Sequence, residues 1–327
     1  METICLNYDL KMPSMSVATI GMFDGVHRGH QLLIGRVVDE AHRRGMASMV
    51  VTFDRSPRQV LDPSFHPQLL TTLDEKADAI AALGVDRLVV LPFSREMADL
   101  SAQAFMERVL WRQLNVAVLV TGYDNRFGHR TPVSLPNGES RPEGFDDYVR
   151  YGEAIGMAVL RGDVELMDDG SRAVSSSVIR ELLAVEGQVE LMPRWLTRSY
   201  QLRGRVTTGE HIGHRLGFPT ANLVPDSPEK LIPAAGVYAV RATLAGERQS
   251  RPAMMNIGTR PTFEGRGLTL EVNILDFEGD IYGQSVCVTF VERLREERRF
   301  ETPEALVEQL KKDRQRVMEV MGHKNEE

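Results

Sequence analysis

The stretch "GMFDGVHRGH", Gly21 to His30, places three glycines and two histidines directly after the apolar run "SVATI", Ser16 to Ile20. The short run is rich in β-branched residues and predicts a strand. Behind the stretch, apolar residues recur at helical spacing until Gly45, where a glycine predicts the end of a helix. The sequence therefore predicts a strand that turns directly into a helix, with His27 and His30 in the first helical turn.

Two histidines at a helix start suit the binding of phosphate groups. The first turn of a helix has unpaired backbone N–H groups and a dipole that favours an anion. His27 and His30 are three apart and lie on one face, while Gly29 permits close backbone approach and Gly25 an unusual turn. Such a site can stabilise the charge of a nucleotidyl transfer without a covalent protein intermediate. The alternative is a glycine-rich turn whose histidines only cap a helix, and the attached Phe23–Gly25 favours the nucleotide site.

Length and composition exclude several classes of protein. The chain has 327 residues, enough for two domains, and its 42% hydrophobic and 26% charged residues are typical of a globular protein. A formal charge of −7 argues against broad affinity for nucleic acid or anionic membranes. Cys5 and Cys287 offer no disulfide framework or metal spacing. With no secretory signal and no apolar run of bilayer length, we expect a cytoplasmic chain.

The first half of the chain alternates strand-like and helix-like segments as far as residue 186. This alternation predicts βαβ units and a mostly parallel sheet with helices on both faces. Ligands bind such sheets beyond the carboxyl ends of the strands. The stretches Gly21–His30, Phe53–Pro57 and Gly122–Gly128 each follow a predicted strand, so we expect them to meet in one crevice. We define residues 1–186 as the first domain.

From about Tyr200 the pattern changes to strand-like runs without intervening helices, among them "GVYAVRATLAG" and "SVCVTFVERL". This predicts a compact antiparallel barrel. A single helix follows, with Thr302 as its cap and Pro303 in its first turn. The predicted fold class is thus an α/β domain followed by an all-β domain, residues 187–327, with a terminal helix.

The motif "VSSSVIRELL", Val174 to Leu183, predicts another helix start. Ser175 or Ser176 would cap this helix, and one of the hydroxyl groups can equally bind phosphate. Arg180 lies in the first turns, where its planar guanidinium can reach a triphosphate. The motif taken alone is more often just a helix start, and its pairing with the two histidines favours phosphate binding.

The motif "TGYDNRFGHR" follows a predicted strand. Asp124 and Asn125 can hydrogen-bond a ligand there, and Phe127 can stack on a flat ring. A plain turn explains the stretch equally well.

A glycine-rich motif, "TTGEHIGHRLGFPTANL", begins at Thr207 in the predicted barrel. Gly209, Gly213 and Gly217 leave backbone N–H groups free to hold phosphate oxygens. Thr220 and Asn222 supply neutral oxygen ligands of the kind that suits Mg²⁺ beside substrate phosphates. The motif is not a Walker loop, because no Gly-Lys-Ser/Thr follows the glycines.

Glu271, in the strand-like run "TLEVNILDF", is a candidate general base for a hydroxyl group. Its neighbours Leu270 and Val272 are apolar, and we expect the carboxylate to point into the barrel. The alternative is a glutamate that faces solvent from a strand.

Together these motifs resemble those of the bifunctional prokaryotic riboflavin kinase/FMN adenylyltransferases, the bacterial FAD synthetases. The resemblance covers nearly the whole chain. The stretches that carry it are "TIGMFDGVHRGH", "VTFDRSPRQVL", "GYDNRFG", "SSSVIR", "GFPTANL", "GVYAV", "NIGTRPTF" and "YGQSV". It implies a Rossmann-like adenylyltransferase domain followed by a six-stranded riboflavin kinase barrel.

The resemblance also implies roles for individual residues. In the barrel, Glu271 would be the base that activates the ribityl 5′-hydroxyl of riboflavin, and Thr220 and Asn222 would hold Mg²⁺ and ATP phosphate. In the first domain, Asp124, Asn125 and Phe127 would lie near the flavin or nucleotide. The residues expected around the ATP of adenylylation are Gly21, Phe23, Asp24, Gly25, His27, His30, Ser176 and Arg180.

The activity implied is phosphorylation of riboflavin to FMN and adenylylation of FMN to FAD, each with one ATP. The cofactor would be Mg²⁺ or a similar divalent cation. The expected partners are small molecules, namely ATP and flavins, without nucleic acid or membrane, and no oligomeric state is predicted. Two other hypotheses stay open: a chain in which only one activity works, and a nucleotide-regulated RNA-binding protein.

Overall fold

The structure, a computed structural model, describes residues 1–5, 11–123, 133–134, 139–208, 218–262 and 265–323, and of residues 133–134, 259–262, 265–266 and 323 it describes the backbone alone. The chain divides into two compact units, Met1–Ser175 and Ser176–Glu327. The domain boundary that we expect after residue 186 stays a prediction.

The first unit is built on a six-stranded parallel sheet with the strand order β1-β4-β3-β2-β5-β8. The strands of this unit, including the small hairpin β6–β7, are β1 (Glu2–Cys5), β2 (Ser16–Ile20), β3 (Ala47–Phe53), β4 (Arg87–Leu91), β5 (Val116–Thr121), β6 (Val133–Ser134), β7 (Ser140–Arg141) and β8 (Ala158–Arg161). The sequence did not predict β1, a mostly exposed strand at the edge of the sheet.

Helices cover both faces of this sheet, as predicted. They are α1 (Arg28–Arg44), α2 (Pro57–Leu61), α3 (Leu73–Ala81), α4 (Arg95–Ala98), α5 (Ala102–Phe105), which continues as a π-helix over Met106–Gln113, and α6 (Phe145–Ile155). Buried residues of α1 and α3 pack on one face, and those of α5, its π-helical continuation and α6 pack on the other. Burial on both faces explains why a central strand such as "SVATI" shows no alternation of buried and exposed residues.

The predicted crevice lies where the order in which strands are added to the sheet reverses direction. From β2 the chain adds β3 and then β4 on one side, and it returns to place β5 on the other side of β2. The carboxyl ends of β2 and β5 therefore flank the topological switch point, where ligands bind in such sheets. The stretch Gly21–His30 follows β2 at this position.

The second unit contains a closed antiparallel barrel, which confirms the predicted architecture. Before it come α7 (Ser176–Ala184), a 3₁₀ turn (Val189–Leu191) and α8 (Met192–Leu196). The barrel strands are β9 (Gln201–Thr207), β10 (Ala221–Pro225), β11 (Gly236–Leu244), β12 (Arg251–Thr262), β13 (Gly265–Ile274) and β14 (Ser285–Arg295). Their order around the barrel is β10-β13-β12-β11-β14-β9.

The terminal helix α9 (Pro303–His323) covers part of the outer face of the barrel. The Thr302 hydroxyl accepts a hydrogen bond from the backbone N–H of Ala305 at 3.2 Å, as expected for its cap. Val317 and Met321 of this helix pack against barrel residues such as Met254. Among the described residues, no helix has both the length and the apolar character needed to cross a membrane.

The two faces of the barrel are distinguished by alternation along the strands. Tyr238, Met255 and Val272 are register partners on neighbouring strands, and the Tyr238 ring meets that of Phe290 edge to face at 5.3 Å. These residues are buried and form the inner face. The residues next to them in sequence, such as Met254, face outward toward α9.

Candidate functional site

The turn after β2 has an unusual backbone. Phe23 (φ 48°), Gly25 (φ 83°) and Val26 (φ 44°) lie in the left-handed region. For Val26, a β-branched residue, this conformation is strained, and strain of this kind persists only where the surroundings hold it. Phe23 is 2% exposed and Val26 is fully buried, so their packing is one of the forces that hold the turn.

Asp24 anchors the turn to a distant segment of the chain. Asp24 is 3% exposed, and its carboxylate accepts hydrogen bonds from the backbone N–H groups of Leu70 and Thr71, each at 3.1 Å. The Thr71 hydroxyl accepts from the backbone N–H of Gly25 at 2.9 Å. These hydrogen bonds join two parts of the protein, so Asp24 helps to position the turn after β2. Direct contact of this residue with ATP stays a prediction.

The two histidines are stacked at the start of α1, as the sequence predicts. His27 is the N-cap, and its Nδ1 accepts a hydrogen bond from the backbone N–H of His30 at 3.4 Å. The two rings lie 3.6 Å apart at an interplanar angle of 21°. Because Nδ1 of His27 is an acceptor, the neutral ring carries its proton on Nε2, which is then the donor atom of this imidazole.

Gly29 makes room for this stack. A Cβ atom at this position would lie 3.3 Å from the His27 ring and 3.3 Å from the carbonyl oxygen of Val174. A side chain would therefore push against both the imidazole and the chain just before Ser176. Ser176 itself and Arg180 lie on α7, which belongs to the second compact unit. Their expected contact with the triphosphate stays a prediction.

Burial and neighbouring charge keep His30 neutral. The pKa of His30 lies well below its ordinary value, because burial of the imidazole disfavours the charged form and His27 and Lys76 add positive charge nearby. The Nδ1 atom of His30 is buried and has no hydrogen-bond partner among the described residues. The His30 ring is thus a neutral polar group at neutral pH rather than a cation.

Lys76 was not among the site residues predicted from the sequence. It is 6% exposed on α3, and its ammonium donates to the Thr52 hydroxyl at 3.4 Å. A signal was present, because the helical spacing that buries Ile80 also buries position 76. A lysine on the apolar side of a helix usually extends its ammonium group to water, so the helical spacing alone did not indicate a site residue.

The predicted flavin-contacting residues Asp124, Asn125 and Phe127 lie outside the described residues. The same is true of Gly209, Gly213 and Gly217 in the second unit. Their roles stay predictions.

In the barrel, three polar residues form a row across adjacent strands. Glu271 on β13 lies directly opposite Asn222 on β10 and opposite Asn256 on β12. Residues that are directly opposite on neighbouring strands share one face of a sheet. The expected inward direction of Glu271 is wrong: Leu270 and Val272 face the interior, so Glu271 lies on the outer face.

This outer face and α9 enclose a cavity of about 300 Å³. Its walls combine apolar and aromatic side chains with a cluster of polar groups, as is usual for small-molecule sites. The lining residues are Phe218, Thr220, Val237, Met254, Asn256, Thr269, Glu271, Asn273, Arg295, Glu297, Arg298, Phe300, Leu306 and Leu310.

Asn273 ties the predicted metal-binding segment to the barrel. Its buried side-chain amide donates to the carbonyl oxygen of Pro219 at 2.6 Å. Thr220, next in sequence, lines the cavity that also contains Glu271. Asn273 and Asn256 were not predicted, although the alternation of Thr269, Glu271 and Asn273 along one strand was a signal for a polar stripe.

The donor set fits a hard cation. The Thr220 hydroxyl, the Asn222 amide oxygen and the Glu271 carboxylate are oxygen ligands of the type that Mg²⁺ takes together with substrate phosphates. Among the described residues there is no cluster of three or more His, Cys, Asp or Glu side chains that would hold a metal ion. A metal in the barrel would thus depend on neutral oxygens and on the phosphates of a nucleotide.

A buried ion pair holds α9 over the cavity. The guanidinium of Arg295 contacts both carboxylate oxygens of Asp313, with Nε–Oδ1 at 3.1 Å and Nη2–Oδ2 at 2.8 Å. The side chain of Asp313 is 4% exposed and also accepts from Gln309 at 2.7 Å.

The substitution Asp313→Ala is expected to destabilise the second unit by about 3 kcal/mol, because it leaves a largely buried guanidinium without its partner. Urea unfolding followed by tryptophan fluorescence measures the loss of stability. Trp111 is replaced by Phe in every variant compared, so that Trp195 in the second unit gives the signal. Glu292→Gln is the matched control, since the Glu292–Arg316 pair is at the surface and should contribute less than about 1 kcal/mol. Equal midpoints for the two variants would show that the ion pair does not anchor α9.

Each compact unit has a polar cluster of its own, and the comparison with known families identifies the chain as a transferase. The match to known families is specific. A protein-family model described as FAD synthetase matches residues 9–177, and a second family model, described as riboflavin kinase, matches residues 196–321. The chain belongs to the bifunctional riboflavin kinase/FMN adenylyltransferase family.

Individual relatives agree along most of their length. The bifunctional riboflavin kinase/FMN adenylyltransferase of Pseudomonas fluorescens is 40% identical over 292 residues, which cover 89% of this chain and 88% of the relative. That of Escherichia coli K12 is 34% identical and covers 94% and 93%, respectively. The fold is similar to a crystal structure described as a macrolide-efflux protein from Streptococcus pneumoniae, with a TM-score of 0.84, 32% identity and coverage of 97% of this chain and 99% of that one.

Proposed function

We infer that this chain phosphorylates riboflavin with ATP to give FMN, and then adenylylates FMN with a second ATP to give FAD and pyrophosphate. The observation that carries this inference is that two different family models match one chain, one over each compact unit. A polar cluster in each unit supports the inference: one is at the switch point of the sheet, and the other is beside the terminal helix α9.

In the adenylylation reaction, a phosphate oxygen of FMN attacks the α-phosphorus of ATP. A new P–O bond joins the two phosphates, the bond to the β-phosphate breaks, and pyrophosphate leaves. Negative charge builds up on the α-phosphate. The Nε2–H of His27, the His30 imidazole and the N–H groups at the start of α1 are preorganised donors for this charge. Because the stack is already formed, little reorganisation is needed during the reaction.

In the kinase reaction, the 5′-hydroxyl oxygen of riboflavin attacks the γ-phosphorus of ATP and ADP leaves. Glu271 accepts the hydroxyl proton as a general base. Thr220 and Asn222 would hold Mg²⁺, which neutralises phosphate charge when bound. The apolar walls of the cavity offer a surface for the flavin ring, and Glu271 lies opposite Asn222 and Asn256 on the neighbouring strands.

A time course with purified full-length chain, riboflavin, ATP and Mg²⁺ tests the function. Chromatography is expected to show FMN first and FAD later, and a separate incubation with FMN and ATP should give FAD and pyrophosphate in equal amounts. EDTA is the control for the divalent cation. FMN without FAD, or FAD only from supplied FMN, would support the hypothesis of a single working activity instead.

The absence of nucleic-acid and membrane partners and the cytoplasmic location stay predictions. RNA binding is the alternative from another class. If neither flavin product formed, a salt-dependent shift of RNA in a gel without flavin would favour that alternative.

A further inference from the structure

Lys76 is a buried lysine, and its burial calls for a physical explanation. The residue is 6% exposed, whereas a lysine usually extends its ammonium into water. Burial lowers the pKa of Lys76, and the nearby Asp24 carboxylate opposes that shift. A buried ammonium is unfavourable unless it is paired, and Asp24 supplies the opposite charge.

The contacts of Lys76 lead to the backbone of the turn. The ammonium donates to the Thr52 hydroxyl at 3.4 Å, and this hydroxyl donates to the carbonyl oxygen of Met22 at 3.2 Å. A hydroxyl has one hydrogen, and an ammonium can only donate. With Lys76 in place, the Thr52 oxygen accepts from it and the single O–H is directed to Met22. Thr52 thus links the ammonium of Lys76 to the carbonyl group of Met22.

Lys76 therefore acts on the turn from two sides. Met22 directly precedes the left-handed residues Phe23, Gly25 and Val26, and Lys76 reaches its carbonyl group through Thr52. On the other side, Lys76 is the counter-charge of Asp24, which binds the backbone of residues 70–71. The stacked imidazoles follow directly after this turn, so their position depends on it.

We propose that Lys76 is a positioning residue of FMN adenylylation, which holds the turn at residues 22–26 through Thr52 and Asp24 and so keeps the His27 and His30 rings stacked at the phosphate site. The proposal rests on the proposed function of the first unit. It assigns Lys76 no direct contact with substrate.

The test uses Lys76→Met, Thr52→Val and the double variant in the full-length chain. Lys76→Met is expected to lower kcat for FAD formation from FMN about tenfold, the effect of one lost hydrogen bond to a charged group. The KM for ATP should change less, because the ring donors remain and only their position is disturbed. FMN formation from riboflavin in the same sample should stay at the wild-type rate.

The double variant tests the route through Thr52. If Lys76 acts through the Thr52 hydroxyl, the double variant should lose no more activity than Lys76→Met alone. Additive losses would overturn the proposal. Loss of both reactions together would overturn it as well, since this would make Lys76 a requirement for folding rather than for the site.

Lys230→Met is the matched control. Lys230 is also 6% exposed, but it lies in the second unit, with its ammonium 4.7 Å from the centre of the Tyr200 ring. The same substitution at this equally buried lysine should leave FAD formation from FMN unchanged. An equal loss of FAD formation in Lys76→Met and Lys230→Met would overturn the proposal, because the effect would then not depend on the position of Lys76.

NMR titration of the His30 imidazole gives a readout that does not depend on activity. The titratable groups that act on His30 are His27 at its own helix start and Lys76 from α3. Lys76→Met removes a positive charge that disfavours the imidazolium, so the titration midpoint of His30 should rise. Thr52→Val keeps the charge and should change it less. An unchanged midpoint in Lys76→Met would overturn the proposal, whereas a wild-type chain that makes no FAD would contradict only the proposed function.

Discussion

Glu271→Gln is expected to lower FMN formation from riboflavin by about 10²–10⁴-fold, the usual contribution of a general base. The amide keeps the shape and the cross-strand neighbours of the carboxylate, but it cannot accept the hydroxyl proton. FAD formation from supplied FMN should continue at the wild-type rate, because that reaction belongs to the other unit. Chromatography of the two reactions, run side by side, measures both rates.

Glu292→Gln is the control for this variant. It makes the same chemical change on another strand of the barrel, at a carboxylate paired with Arg316 at the surface, and both reactions should be unaffected. If Glu271→Gln reduced the two reactions together, the assignment of one reaction to each unit would be wrong. If it reduced neither, Glu271 would not be the base.

His30→Ala is expected to have the opposite selectivity. It removes one preorganised donor from a charged transition state, and the loss in FAD formation from FMN should be about 10²–10³-fold. FMN formation from riboflavin should not change. The stack with His27 at 3.6 Å is lost at the same time, so a thermal melt of the variant is needed to show that the first unit is still folded.

His42→Ala is the control on the same helix, because His42 is exposed near the end of α1. It should leave both reactions unchanged. Normal FAD synthesis by His30→Ala in a folded chain would remove the histidine pair from the mechanism.

Features that depend on neighbours in the chain were predictable from the sequence. The strand Ser16–Ile20, the helix that follows it and its end at Gly45 are confirmed. The N-terminal position of the two histidines is confirmed for the same reason: glycines, caps and helical spacing act over a few residues. The family and the order of the two folds followed from motifs that are each local.

Features that depend on strand pairing and long-range contacts were not predictable in this way. The apolar neighbours of Glu271 left open which face of the barrel is covered by α9, and the structure places Glu271 on the outer face opposite Asn222 and Asn256. The edge strand β1 is short and exposed, so it carried little hydrophobic pattern.

The sequence by itself determined where phosphate chemistry is expected, because a strand, a glycine turn and a helix start are specified by adjacent residues. Only the tertiary structure decided what surrounds those places. Asp24 and Thr71 are distant in the chain, as are Lys76 and Thr52, and they meet because the sheet brings β2, β3 and the start of α3 together. Pairing between distant residues is a property of the packed core, and no local pattern encodes it.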